Sequence, residues 1–246
     1  MQLTNTIDNT TPHASQFSAW MVCLTLVIAL FAAQTTPANA ASRAGEVKSL
    51  RGSAVAKGTD GSERELARGD DIFSGDRIDT AARSFVLVRF DDSTRFALGQ
   101  NGSMNVSDFV FENPNKPDNI ATQVLKGAFR FVSGLISKRR PSAMRVRLGV
   151  IATIGLRGTS VGGEVIGDSA TVMLLDPETG EPSGIDVSND FGSVSIDQPG
   201  FGTEILDANS PPSAPRRMRL RAIQNLMRTM QSVGRVSVPR PRPHMR

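Results

Sequence analysis

The sequence predicts an all-β domain across residues 41–207, built as an antiparallel meander or roll, a sandwich or a short solenoid-like stack. Three observations predict it. Between Gly45 and Asp207 the apolar runs are short or alternating, and each is closed by Gly, Asp, Asn or Pro, the punctuation of strands and turns. Asn101-Gly102 is the strongest short hairpin signal, because both residues tolerate the positive φ of a type I′ turn. Met144, Val146, Leu148, Val150, Ala152 and Ile154 alternate with Arg145, Arg147 and Gly149, a period of two that sets one face in the core and the other in water.

The elements follow in order. Phe85–Phe90 and Thr94–Leu98 read as strands joined by the turn Asp91-Asp92-Ser93, and the run continues through Asn101-Gly102 to Val106, so three strands in series suggest a meander. Residues 112–119, with two prolines and three asparagines, offer nothing that burial could set against the entropy of ordering and read as an exposed loop. Val124–Val132 is the next strand, and Lys138-Arg139-Arg140-Pro141 is a basic spacer before the eleven-residue alternation of 144–154. Gly184–Val187, Asn189–Gly192 and Val194–Ile196 form a strand, turn and strand.

Both ends differ from this middle. The net charge of +4 divides into −1 over residues 1–40, −3 over 41–206 and +8 over 207–246, where nine arginines meet one acid, Asp207. Trp20–Ala33 is an apolar run of 14 followed by Ala38-Asn39-Ala40, too short to span a bilayer comfortably and placed as an export signal cut between Ala40 and Ala41. No Lys or Arg precedes that run, which leaves an uncleaved inner-membrane anchor as the alternative. At the other end Leu220, Ile223, Leu226 or Met227, Met230 and Val233 recur at helical spacing among Arg216, Arg217, Arg219, Arg221 and Arg228. This predicts a basic amphipathic helix over about 214–233, followed by a Pro/Arg-rich disordered tail that cannot build a core.

Several function classes are set aside on this basis. Cys23 lies in the apolar run, His13 precedes it and His244 sits in the tail, so the exported domain has no thiol or imidazole for a catalytic triad or a zinc site. No cofactor and no metal is expected. Without Trp or Tyr after residue 20, base stacking and sugar platforms are poorly served, and export argues against nucleic acid as a partner. The turn aspartates Asp70, Asp71, Asp76, Asp91 and Asp92 have no EF-hand spacing and are expected to be solvated turn residues.

Two stretches stand out. In residues 151–165, IATIGLRGTSVGGEV, neither a P-loop nor a dinucleotide fingerprint is present. Gly155 and Gly158 allow positive φ or close backbone approach around Arg157, whose planar fork either braces a turn, with Thr159 or Ser160 satisfying local backbone, or receives an anion at the surface. Upstream, Gly69-Asp70 and Gly75-Asp76 repeat six residues apart; each Gly permits a tight turn, and each Asp is expected to bond a backbone N–H two residues on. Arg68-Gly69-Asp70 also spells an adhesion tripeptide, which chance supplies easily.

Taken together, Gly45-x-Val47, Gly52-x-Ala54-Val55, Leu66-x-x-Gly69-Asp70, Gly75-Asp76-x-Ile78-x-Thr80, Asp92-Ser93-Thr94, Leu125-x-Gly127-x-x-Arg130 and Ala152–Thr159 resemble the FecR-domain family over about residues 45–165. The resemblance implies an extracytoplasmic β domain without catalytic residues. It also implies that Gly69, Asp70, Gly75, Asp76, Thr80, Gly155, Arg157, Gly158 and Thr159 serve structure or interaction. Family regulators relay an envelope signal to a sigma factor through a cytoplasmic segment. Only 19 residues precede the apolar run here, so that role is not carried over. The expectation is an exported, non-enzymatic binding, scaffold or sensing module, periplasmic or secreted, with no transmembrane span in the mature chain, recognising an envelope protein or polymer. The alternative is an anionic-surface contact made by Arg216, Arg217, Arg219, Arg221 and Arg228.

Overall fold

The computed structural model describes residues 41–176 and 183–219, together with positions 221, 223–225, 227 and 228. The chain divides into two compact units, residues 1–40 and 41–246. The apolar run with Cys23, His13, Ala40, and the tail with Met230, Val233 and His244 lie outside the described residues.

Seventeen strands are described: β1 (Arg43–Arg51), β2 (Ala54–Lys57), β3 (Glu63–Glu65), β4 (Asp71–Phe73), β5 (Arg77–Thr80), β6 (Phe85–Phe90), β7 (Arg95–Leu98), β8 (Ser103–Val110), β9 (Asn119–Val132), β10 (Met144–Leu148), β11 (Ala152–Arg157), β12 (Ser160–Ile166), β13 (Ser169–Leu175), β14 (Gly184–Asn189), β15 (Gly192–Ile196), β16 (Phe201–Ile205) and β17 (Arg216–Arg217). They form two layers. Sheet A runs β4-β1-β6-β7-β9-β12-β13-β16-β17, and sheet B runs β3-β2-β5-β8-β9-β10-β11-β14-β15. Strand β9 belongs to both. Its first half pairs with β8 and β10, its second with β7 and β12. The passage from one sheet to the other falls at Gly127, whose φ is +93°. A Cβ there would stand 2.7 Å from the Gly102 backbone, so this crossing of two chain segments needs both glycines.

The core lies between the layers and follows strand alternation. Val86, Val88, Phe90, Phe96, Phe129, Phe131, Val161 and Val165 point inward from sheet A, and Ile78, Met104, Val106, Ile120, Val146, Ile154 and Val187 from sheet B. Phe90 stacks on Phe109 of the opposite sheet at 5.6 Å between ring centroids. Phe96 packs beside Phe129 and edge-on to Phe131. Gly163 clears the space for Phe129, since a Cβ would lie 2.6 Å from its ring.

Antiparallel pairing dominates, as predicted. The exception is β9 with β10, which run parallel and therefore need a crossover. Residues 133–143 provide it with α1 (Leu135–Arg139) and a 3-10 turn (Pro141–Ala143), where the sequence suggested only a basic spacer. The start of α1 has no side-chain cap of its own. Asp92, fully buried, substitutes from a distance: its carboxylate accepts the Ile136 N–H at 3.3 Å, the Thr94 N–H at 2.9 Å and the Thr94 hydroxyl at 2.8 Å.

Several expectations are corrected. The β6–β7 hairpin is present, but β8 pairs with β5 and β9 in the other sheet, so the three strands are no meander. At Asn101-Gly102 only Asn101 takes positive φ; Gly102 is required because a Cβ would meet Leu98 at 2.7 Å, not for a type I′ turn. The alternation of 144–154 is a hairpin of β10 and β11 folded at Gly149–Ile151. Its three-residue turn keeps Leu148 and Ala152 on one face, and Val150 at the tip is 87% exposed, outside the core. Asp92 and Asp76 are buried rather than solvated. Arg216 and Arg217 extend sheet A as β17, so helix begins after 214; described positions from 221 to 228 are helical.

Candidate functional site

The family-motif residues build turns and crossings. Ala67–Asp70 and Phe73–Asp76 are two copies of one turn. In each, the Asp N–H bonds the carbonyl three residues back, and Gly69 and Gly75 sit at φ +95° and +91°, the type II geometry that favours glycine at its third position. The carboxylates reach backward: Asp70 accepts the Ala67 N–H at 2.8 Å and Asp76 the Phe73 N–H at 2.7 Å, where the sequence suggested a bond two residues on. Asp76 also holds Arg64 at 2.5 Å, whose guanidinium lies over the Phe73 ring. The Thr80 hydroxyl donates to the Gly99 carbonyl at 2.5 Å and accepts the Gly102 N–H at 2.9 Å.

Residues 155–159 carry the chain from sheet B to sheet A. Gly155 is ordinary extended strand with room for a Cβ, whereas Gly158 takes φ +58° at the crossing. Arg157 lies across Gly184 and pairs with Asp186 at 3.3 Å, and Ser195 donates to the same Asp186 oxygen at 2.5 Å. Thr159 is buried, and its carbonyl accepts the Ser133 N–H at 3.0 Å. The outer face of sheet B thus uses Arg157 internally.

The outer face of sheet A is different. Along one row Phe85, Gly99, Ala128 and Glu164 lie side by side, a floor whose middle, Gly99 and Ala128, is small. At the same end, the close of β1, the 81–84 turn, the 99–102 turn, the sheet-crossing point of β9 and the tip of β12 converge. They enclose a groove of about 680 Å³ lined by Arg51, Arg83, Phe85, Gln100, Lys126 and Glu164, with Ile166 on one wall and Asn225 on another. Four lining residues have left-handed backbone: Arg83 (φ +57°), Asn101 (+50°), Gly127 (+93°) and Gly167 (+56°). Arg83 is the costly one, since a long side chain there is strained. Its N–H is held by the Gln100 side-chain oxygen at 3.2 Å.

The electrostatics of the groove are unbalanced. Arg51, Arg83 and Lys126 are exposed and make no ion pair among the described residues. Glu164, half-buried, is the one acid among the described residues of the lining, and burial pushes its carboxyl above the usual range. Sequence reasoning missed these four because they come from four separate parts of the chain. The signal available was weak: Arg83 within the turn Ala81–Ser84 has no acid within three residues in sequence. A smaller recess of about 190 Å³ beside Phe109 and Phe111 includes Arg43, which is already paired with Asp71 and Asp91.

The C-terminal segment borders the groove. Gly202 faces Met218, Gly162 faces Ile223 at 3.1 Å from its virtual Cβ, and Ile223 is buried, so this segment packs on the outer face of sheet A. Arg216 pairs with Glu204 at 2.6 Å, while Arg217, Arg219, Arg221 and Arg228 are exposed. Among the described residues no cluster of His, Cys, Asp and Glu could hold a metal, and no helix is long and apolar enough to cross a membrane.

No family model matches the chain, and no curated protein matches it. Among solved structures, a cell surface anchoring domain aligns at 31% identity over 25% of this chain and 82% of its own, with a TM-score of 0.25. A candidate anti-sigma factor from Parabacteroides distasonis aligns at 10% identity over 61% of this chain, with a TM-score of 0.46; the chain spans 64% of that protein. The fold and the groove described above rest on strand pairing and contacts, not on either likeness.

Proposed function

We propose that this protein is an exported, non-enzymatic binding or sensing module of the bacterial envelope, and that it recognises an envelope protein or polymer through the groove on sheet A. One observation carries the reading: Arg51, Arg83 and Lys126 converge on one groove without an ion pair, whereas Arg43, Arg64 and Arg157 are engaged and other exposed cations without an ion pair, such as Arg145 and Arg147, do not line it. Unpaired cations around a concave surface favour an anionic ligand group and raise its encounter rate. The apolar run and Ala38-Asn39-Ala40 support export, with an uncleaved anchor as the alternative.

The test is photo-cross-linking in intact cells from a reactive residue at Ile166 in the groove lining, with exposed Asn115, in the loop that leads into the opposite end of β9, as control. An envelope component captured from Ile166 alone, and lost in the Arg51→Ala/Arg83→Ala/Lys126→Ala variant, is the expected outcome. Equal capture from both positions, or recovery of the protein in the cytosol with residues 1–40 intact, would overturn the reading.

A second reading keeps the exposed Arg217, Arg219, Arg221 and Arg228 as a contact for anionic surfaces. Deleting residues 211–246 and measuring salt-dependent binding to anionic liposomes separates the two. If the segment only packs on sheet A, the deletion lowers stability and leaves liposome binding unchanged.

A further inference from the structure

Each sheet ends in two edge strands, and edges with unpaired backbone groups invite another strand unless they are guarded. Three of the four are guarded. Strand β3 is Glu63-Arg64-Glu65, β17 is Arg216-Arg217, and β4 begins with Asp71, whose carbonyl is taken by Arg64 at 3.1 Å. The fourth, β15, is Gly192-Ser193-Val194-Ser195-Ile196. It carries no charge, no proline and no register shift against β14.

The β14–β15 hairpin determines which backbone groups this edge offers. Asn189 is opposite Gly192 across a two-residue turn, so these two form a hydrogen-bonded pair. Alternation then bonds Val194 and Ile196 to β14 and turns the N–H and C=O of Ser193 and Ser195 away from it. No hydrogen bond to those outward groups is described. The segment 207–213 does not shield them. Pro211 packs where a Gly192 Cβ would point, on the face shared with Val194, and among the described residues no hydrogen bond covers the edge.

The edge is also self-complementary. An antiparallel pairing about a twofold axis sets residue i of one copy opposite residue j of the other and j opposite i, and Ser-Val-Ser then matches like with like. With the axis at Val194, Ser193 of each copy faces Ser195 of the other, and all four outward N–H groups find carbonyls. Val194 meets Val194 on the core side, where it already packs against the core. In this register Asp190 stands opposite Gln198 and Asp197 opposite Phe191, so no acid faces an acid. Phe191, 54% exposed at the hairpin turn, would gain cover.

We propose that β15 is a docking edge for a second copy of this chain, joining two molecules into a continuous sheet B through antiparallel β15–β15 pairing centred on Val194. This is independent of the groove on sheet A. The contact is short, below the roughly 1,200 Å² of a standard stable interface, and the dimer is therefore weak and concentration-dependent.

Sedimentation of the purified full chain over a range reaching high micromolar concentration tests it, alongside Ser193→Lys and Ser193→Pro, which alter a residue whose amide points away from β14. The expected result is reversible dimerisation in the parent protein and a weakening of about tenfold or more in both variants, with unchanged melting curves. A second measurement uses Val194→Cys with Cys23→Ser. Paired Val194 positions would sit about 4.5 Å apart between Cα atoms, within disulfide reach, so oxidation should yield a covalent dimer that Val150→Cys in the same background does not. A monomer at every concentration, a dimer indifferent to both Ser193 variants, or cross-linking at Val194 no greater than at Val150 would overturn the proposal.

Discussion

The acids of the turns and the charges of the groove are treated oppositely by the same fold. Asp76 and Asp92 are buried, yet each is fully occupied: Asp76 by Arg64 and the Phe73 amide, Asp92 by two backbone amides and the Thr94 hydroxyl. Arg51, Arg83 and Lys126 are exposed and unoccupied, and Glu164 between them accepts no hydrogen bond from the described residues. Burial therefore does not mark which charges this molecule leaves unengaged. What separates the two regions is whether hydrogen-bonding capacity is left over, and substitution in each should register in a different measurement.

The largest effect is expected at Asp92. Asp92→Ala removes an acceptor from three donors and uncaps α1, leaving buried amides unsatisfied. Urea unfolding should show a loss of about 3 kcal/mol. A loss no greater than that of a surface substitution would mean that the turn acids are as dispensable as the comparison makes the groove charges.

Glu164→Gln should act in the other direction, by under about 1 kcal/mol because the side chain is only half-buried. Burial raises the folded carboxyl above its unfolded value, so the folded state holds the proton more tightly. Stability then falls as pH rises from the ordinary carboxylate range through the raised folded value. The glutamine variant should lose this dependence and exceed the parent at neutral pH. A stability curve with identical pH slopes in both proteins would show that Glu164 is solvated like any surface acid.

The smallest effect sharpens the comparison at one backbone position. Arg83→Gly relieves left-handed strain, partly offset by the added freedom of the unfolded chain, for a net gain of roughly 0.5 kcal/mol. Ligand capture should weaken at the same time. A variant that is both less stable and equally competent in capture would place Arg83 among the structural charges.

Much of the architecture was legible in the sequence because alternation survives folding. The β6–β7 hairpin, the loop after β8 and the β14–β15 unit all follow from local pattern. Connectivity between layers was not legible, since β7 and β8 are joined by residues that look like a hairpin turn and yet separate two sheets. The same limit hid the hairpin inside 144–154: three turn residues preserve the parity of the alternation, so one strand and two read alike. At the C-terminus helical spacing from Leu220 onward masked the extended Arg216-Arg217. The groove was least accessible. Its charges become neighbours only through pairing of β1 with β6 and of β12 with β9, and nothing in the local sequence around Arg51 or Lys126 records that.

Strand β9 has a consequence for how this molecule can be divided. Its fourteen residues are the central strand of both sheets, so the eight strands before it and the eight after it share one backbone partner. Neither portion is an autonomous folding piece: a fragment ending before Asn119 would expose the flanks of β7 and β8 together, and one starting after Val132 would expose those of β10 and β12. A single proteolytic cut near Gly127 would therefore loosen both layers at once, although it lies far along the chain from either terminus.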